Sequence, residues 1–164
     1  MGTKNKRNDQ KPIQISNAFR QAVEATAEIA DGYCQGLQAL RANATTVTAE
    51  NTLHLEGSVD IDACVHNLYP NDSRWDYAIG YEGKSYFLEV HPANTSNVSE
   101  MLNKAKWLKG WLQDKALPLK NIAAGKTLYW IPSGKCKILP GSPESKRLAQ
   151  SHIRIVKPLR LPIK

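Results

Sequence analysis

At 164 residues, with 41% hydrophobic and 23% charged side chains, the chain has the size and composition of one globular domain able to bury a core. No apolar run reaches the roughly 18–20 residues of a membrane span, and no apolar stretch follows the charged N-terminus, so neither a spanning helix nor a secretory leader is expected. The three cysteines, Cys34, Cys64 and Cys136, form no CxxC pair, which argues against a disulfide framework or a zinc site and points to a reducing, cytoplasmic compartment.

The net charge of +7 is unevenly placed: residues 1–11 carry +3, residues 12–103 carry −8 and residues 104–164 carry +12. Only Asp114 and Glu144 are acidic in the last stretch. A basic half of this kind predicts a polyanion partner, DNA before RNA. The plainer alternative is a solvated surface that keeps the protein soluble.

Residues 1–15 are polar and basic and read as a disordered tail; residues 16–164 read as a single domain. A first helix is expected from the N-cap candidate Ser16, with Phe19, Val23, Ala30, Tyr33, Leu37 and Leu40 as its apolar stripe. Residues 43–51 read as a loop or irregular edge. In SVDIDACV, Val59, Ile61, Ala63 and Val65 alternate with polar residues, a strand pattern. Two further strands, RWDYAIGY and KSYFLEVH, meet at Glu82-Gly83. A second helix is expected near Asn97, with Glu100 completing a capping box and Met101, Ala105, Leu108 and Leu112 buried. Pro118 cannot continue it. TLYWI (127–131) reads as a buried strand, followed by a short helix near 143–150, a last strand HIRIV and a basic tail. The order predicts an α/β fold with a mixed sheet flanked by helices.

The hairpin register carries the chemistry. With Glu82 and Gly83 as the loop, residues whose numbers sum to 165 face each other, so Asp76 opposes Glu89, Arg74 opposes His91 and Ala78 opposes Phe87. Trp75, Tyr77, Ile79 and Tyr81 then line one face with Tyr86, Leu88 and Val90; Asp76, Ala78, Gly80, Phe87, Glu89 and His91 share the other. Opposed carboxylates repel unless something positive lies between them, and a divalent cation such as Mg²⁺ meets that need. Small Ala78 and Gly80 would leave room for a substrate backbone beside the pair.

Asp76 on one strand and Glu89-Val90-His91 on its partner, followed by a helix and a buried strand, resemble the core of the PD-(D/E)xK nuclease superfamily over residues 16–131. The resemblance implies a restriction-endonuclease-like core (αβββαβ), here with a basic C-terminal extension. It implies that Asp76 and Glu89 hold Mg²⁺ or Mn²⁺ for phosphodiester hydrolysis, as in an endonuclease. His91 stands where the family has lysine; it would serve as base, as a softer ligand or as a relic of lost activity. In this family the lysine sometimes moves to the following helix, where Lys104 and Lys106 lie.

Other residues are weaker candidates. Lys104, Lys106, Lys109, Lys135, Lys137 and Arg147 are the expected phosphate contacts, with Trp107 and Trp111 as stacking platforms or, more simply, packing residues. Asp60 and Asp62 read as a polar strand face or a further carboxylate in the cluster. The glycines form no nucleotide-binding pattern. The alternatives to a nuclease are an inactive nucleic-acid-binding or protein-docking domain of the same fold, and a scaffold whose basic face meets an acidic protein. A homodimer is one arrangement open to a nuclease that cuts two strands.

Overall fold

The computed structural model describes residues 15–164. The expectation for the tail at 1–15 therefore falls almost wholly outside the described residues. Within them lies an α/β fold, a mixed sheet with helices packed on it.

Five strands form the main sheet: β2 (Leu55–Asp60), β3 (Tyr77–Tyr81), β4 (Lys84–His91), β5 (Leu128–Pro132) and β6 (Ile153–Ile155), in that order across it. The first three run antiparallel, whereas β4, β5 and β6 are parallel. Parallel neighbours need crossovers. Helices α3 (Val98–Lys115) and α4 (Leu117–Asn121) make the first, and α5 (Pro143–Gln150) makes the second. Two short strands, β1 (Val47–Ala49) and β7 (Leu159–Leu161), pair in parallel as a separate ribbon.

The hairpin has the expected register, with Ala78 opposite Phe87 and Tyr81 opposite Lys84. Glu82 and Gly83 have φ of 49° and 77°, the two left-handed conformations of a type I′ turn. The strand faces follow. Ala78 and Phe87 pack with Phe19, Met101 and Leu108 from helices α1 (Ala18–Glu24) and α3. Ile79, Tyr81 and Leu88 pack on the opposite face with Leu40, Val47, Leu159 and Leu161.

Several expectations are corrected. Trp75 joins the core of Ala78 and Phe87, not that of Tyr77 and Ile79, because β3 begins only at Tyr77 and strand alternation does not reach residue 75. The first helix stops at Glu24, and short 3-10 segments follow. One helical stripe could not hold both Phe19 and Leu40, since they lie in cores on opposite faces of the sheet. The strand expected through Val65 ends at Asp60. The Asp60 carboxylate accepts from the Ala63 N–H at 2.9 Å and caps a short helix, α2 (Ile61–Val65). Helix α3 starts one residue after Asn97 without a side-chain cap; the capping box belongs to the preceding turn, between Asn94 and Asn97. Pro118 sits in the first turn of α4, where its missing N–H costs nothing. Part of the expected loop at 43–51 is strand β1.

Gly80 leaves room for Phe19, not for a substrate. A Cβ at this position would lie 2.3 Å from the Cβ and Cγ of Phe19. Gly80→Ala is thus expected to push α1 off the sheet and to destabilise the protein by about 1–3 kcal/mol. Urea denaturation measures this, and an unshifted midpoint would show that α1 yields freely.

No helix among the described residues is long and apolar enough to cross a membrane.

Candidate functional site

Asp76 and Glu89 meet where β3 begins. The Asp76 N–H donates to Glu89 Oε2 at 2.8 Å, and the Val90 N–H donates to Asp76 Oδ2 at 3.1 Å. Each carboxylate thereby continues the hairpin ladder beyond its regular pairs. Glu89 is completely buried, because its face of β4 lies beneath α3.

The positive charge that an opposed carboxylate pair requires comes from Lys104 on α3. Its Nζ lies 2.6 Å from Glu89 Oε1 and donates to the Arg74 carbonyl at 3.0 Å. At that distance the ammonium is both counter-charge and donor to Oε1, and the Asp76 N–H serves Oε2. The Nε1 of Trp75, next to Asp76, is buried without a partner among the described residues.

Burial pushes the Glu89 carboxyl up to about 8, with Asp76 adding to the rise and Lys104 opposing it. Burial also raises Asp76, again against Lys104. For Lys104 burial acts in the opposite sense, toward the neutral amine, but Glu89 and Asp76 outweigh it and hold the ammonium charged.

His91 stands apart from the pair. Its Nε2 lies 3.2 Å from Glu100 Oε2, and its Nδ1 lies 3.1 Å from the Pro92 carbonyl. Arg74, expected opposite His91, bonds Asp62 instead at 2.7 Å. Asp60 and Asp62 are thus a helix cap and an arginine partner, near enough to raise Asp76 further without joining its contacts.

The expected phosphate-contact residues separate. Lys104 is not a surface lysine, since only 13% of its side chain is exposed and Glu89 holds it. Lys109 donates to the Ser151 carbonyl at 3.0 Å and ties α3 to the end of α5. Lys106 is exposed on a groove with Trp107. Trp107 stacks on Trp111 at 5.6 Å, and the Trp111 indole N–H donates to Glu28 at 2.8 Å, so this pair serves packing. Lys135, Lys137 and Arg147 are exposed.

Glu56 gave no signal in the sequence. It sits at an irregularity between Leu55 and Gly57 where the β2–β3 register shifts. Such a bulge re-aims a side chain. Here the Glu56 carboxylate turns inward and accepts from the N–H groups of Phe19 and Gly83, joining α1 to the hairpin turn, at the opposite end of the hairpin from Asp76 and Glu89.

The donors at Asp76 and Glu89 are hard oxygens of the kind Mg²⁺ or Mn²⁺ takes as two protein ligands with the rest of the shell from water or phosphate, and both Glu89 oxygens already face donors, Lys104 at Oε1 and the Asp76 N–H at Oε2. Among the described residues no group of three or more His, Cys, Asp or Glu side chains converges. The main surface grooves are lined by other residues. Comparison with protein-family models, with curated proteins and with solved structures finds no match.

Proposed function

We propose that Asp76, Glu89 and Lys104 form a PD-(D/E)xK-type centre for metal-dependent phosphodiester hydrolysis, with the lysine moved from the strand to the following helix. The observation that carries this reading is the Lys104 ammonium 2.6 Å from Glu89 Oε1, beside the Asp76–Glu89 pair. The sheet supports this reading: antiparallel β2, β3 and β4, then α3, then a parallel β5 follow the αβββαβ order such a core would have, with the short α2 inserted between β2 and β3.

Asp76 and Glu89 would hold Mg²⁺ or Mn²⁺. Such an ion, when bound, acidifies a coordinated water and polarises the phosphoryl group. Lys104 supplies a fixed positive charge next to Glu89, where it orients the attacking water and steadies charge gathering on the phosphate oxygens. His91, expected to assist the water, is engaged with Glu100 and positions that end of α3 instead.

Nicking of duplex DNA with Mg²⁺ or Mn²⁺ tests the assignment. Asp76→Asn is expected to abolish cleavage and to weaken Mn²⁺ binding in calorimetry. Lys104→Gln is expected to lose about 10²–10³-fold in rate, the scale of removing one preorganised charge donor. His91→Ala is expected to stay within about tenfold of wild type, well short of a general base's loss. A His91→Ala loss as large as that of Lys104→Gln would return the lysine's role to the strand.

The complete burial of Glu89 favours a second reading, a domain of the same fold that binds nucleic acid without cutting it. Folded protein that binds neither metal, yet binds DNA with strong salt dependence, would establish that reading.

A further inference from the structure

The parallel strands β4, β5 and β6 end on the same edge of the sheet as Glu89. In open α/β sheets this carboxyl edge is where ligands bind. The residues leaving β5 there form a loop, 133–141. Two backbone bonds fasten it to the end of the strand that carries Glu89 and to the residues just after it: the Ser133 N–H donates to the His91 carbonyl at 3.1 Å, and the Lys137 N–H donates to the Ala93 carbonyl at 2.8 Å. Ile138 anchors the loop in the core. From the far side, Lys157 Nζ, just past β6, donates to the Gly134 carbonyl at 3.2 Å.

The loop is held, yet it presents an unusual surface. Lys135, Lys137 and Lys157 are exposed, and no acidic residue occurs between Asp114 and Glu144. Leu139 is 72% exposed, the highest value for any large apolar side chain among the described residues. A lone exposed leucine is ordinary on a protein surface. One raised on a fastened, basic loop at the carboxyl edge is placed like the apolar wedges that DNA-bending proteins insert between base steps.

We propose that the loop 133–141, together with Lys157 beside it, is a duplex-DNA contact element, in which Lys135, Lys137 and Lys157 hold phosphates and Leu139 wedges between base pairs. It deepens the nuclease reading by naming its substrate class and rests on that reading only for what happens at Glu89. The lysines set the affinity, because each phosphate neutralised releases counterions. The wedge locally unstacks the duplex, as a substrate strand needs in order to bend toward a site beneath α3.

The test is binding without chemistry. The full chain is titrated with a DNA duplex carrying 2-aminopurine, in EDTA, so that loss of cleavage cannot confuse the result. Wild type is expected to bind and to raise the 2-aminopurine fluorescence. Leu139→Ser is expected to bind with the rise lost. The triple variant Lys135→Gln, Lys137→Gln, Lys157→Gln is expected to lower the slope of log K against log salt by roughly 2.7, at about 0.9 per phosphate contact. All the substituted side chains are exposed, and circular dichroism checks that each variant is folded. A fluorescence rise that survives Leu139→Ser, an unchanged slope in the triple variant, or tighter binding of single strands or RNA than of duplex DNA would each overturn the proposal.

Discussion

Replacing Lys104 with methionine lowers stability by about 3–5 kcal/mol in alkaline solution, the cost of removing one partner from a buried ion pair. The loss is expected to depend on pH. In the wild-type protein the Glu89 carboxyl is raised from an ordinary 4.5 to about 8. The folded state therefore keeps a proton that the unfolded chain releases, and the stability tied to this group is full below pH 4.5 and declines as pH rises to about 8. Above that pH the wild-type carboxylate is ionised against Lys104, and the decline stops. Without Lys104 only the Asp76 N–H opposes the burial, the folded carboxyl titrates still higher, and the decline continues. Urea denaturation at pH 5 and pH 9 reads the difference. Equal losses at both pH values would show that packing of the lysine stem, not its charge, is what Glu89 requires.

Glu56→Ala is expected to destabilise by about 3 kcal/mol or more, because two backbone donors lose a charged acceptor at once, each such bond being worth roughly 1.5–3 kcal/mol. The Phe19 N–H lies in the first turn of α1, and the Gly83 N–H lies in the hairpin turn. Neither has a ladder partner to fall back on. Glu56→Gln keeps one oxygen acceptor and is expected to lose about half as much. Chemical denaturation of the three proteins decides the matter: a loss below 1 kcal/mol for the alanine variant would mean that both N–H groups find water.

The hairpin and its consequences were legible because they obey a rule of period two. A short turn between two β-rich segments sets which residues oppose, and Asp76 against Glu89 follows without knowledge of anything distant. Lys104 was partly legible. It stands at the edge of the stripe formed by Met101, Ala105, Leu108 and Leu112, and a lysine beside a buried stripe needs an acid to receive it. That the acid is Glu89 depends on how α3 lies across the sheet, which no local pattern states. Glu56 was illegible for a related reason, since a bulge leaves no mark in a strand pattern. The Asp60-Ile61-Asp62 stretch misled because one alternation of polar and apolar residues suits a strand and a helix cap alike. Only the Asp60 carboxylate bonded to the Ala63 N–H separates the two. The first helix misled because apolar residues at helical spacing serve two cores on opposite sides of one sheet.

The β1–β7 ribbon has a consequence for how the protein matures on the ribosome. Val47 pairs with Leu159, so the cover over Ile79, Leu88 and Ile131 is completed by residues made long after those it shelters. Strands β2 to β5 emerge before Leu159 and Leu161, so the face that carries Ile79, Leu88 and Ile131 shows bare aliphatic surface until the ribbon closes. That order exposes a half-built layer to self-association or to chaperones, and it makes closure of the ribbon a late, long-range step in folding.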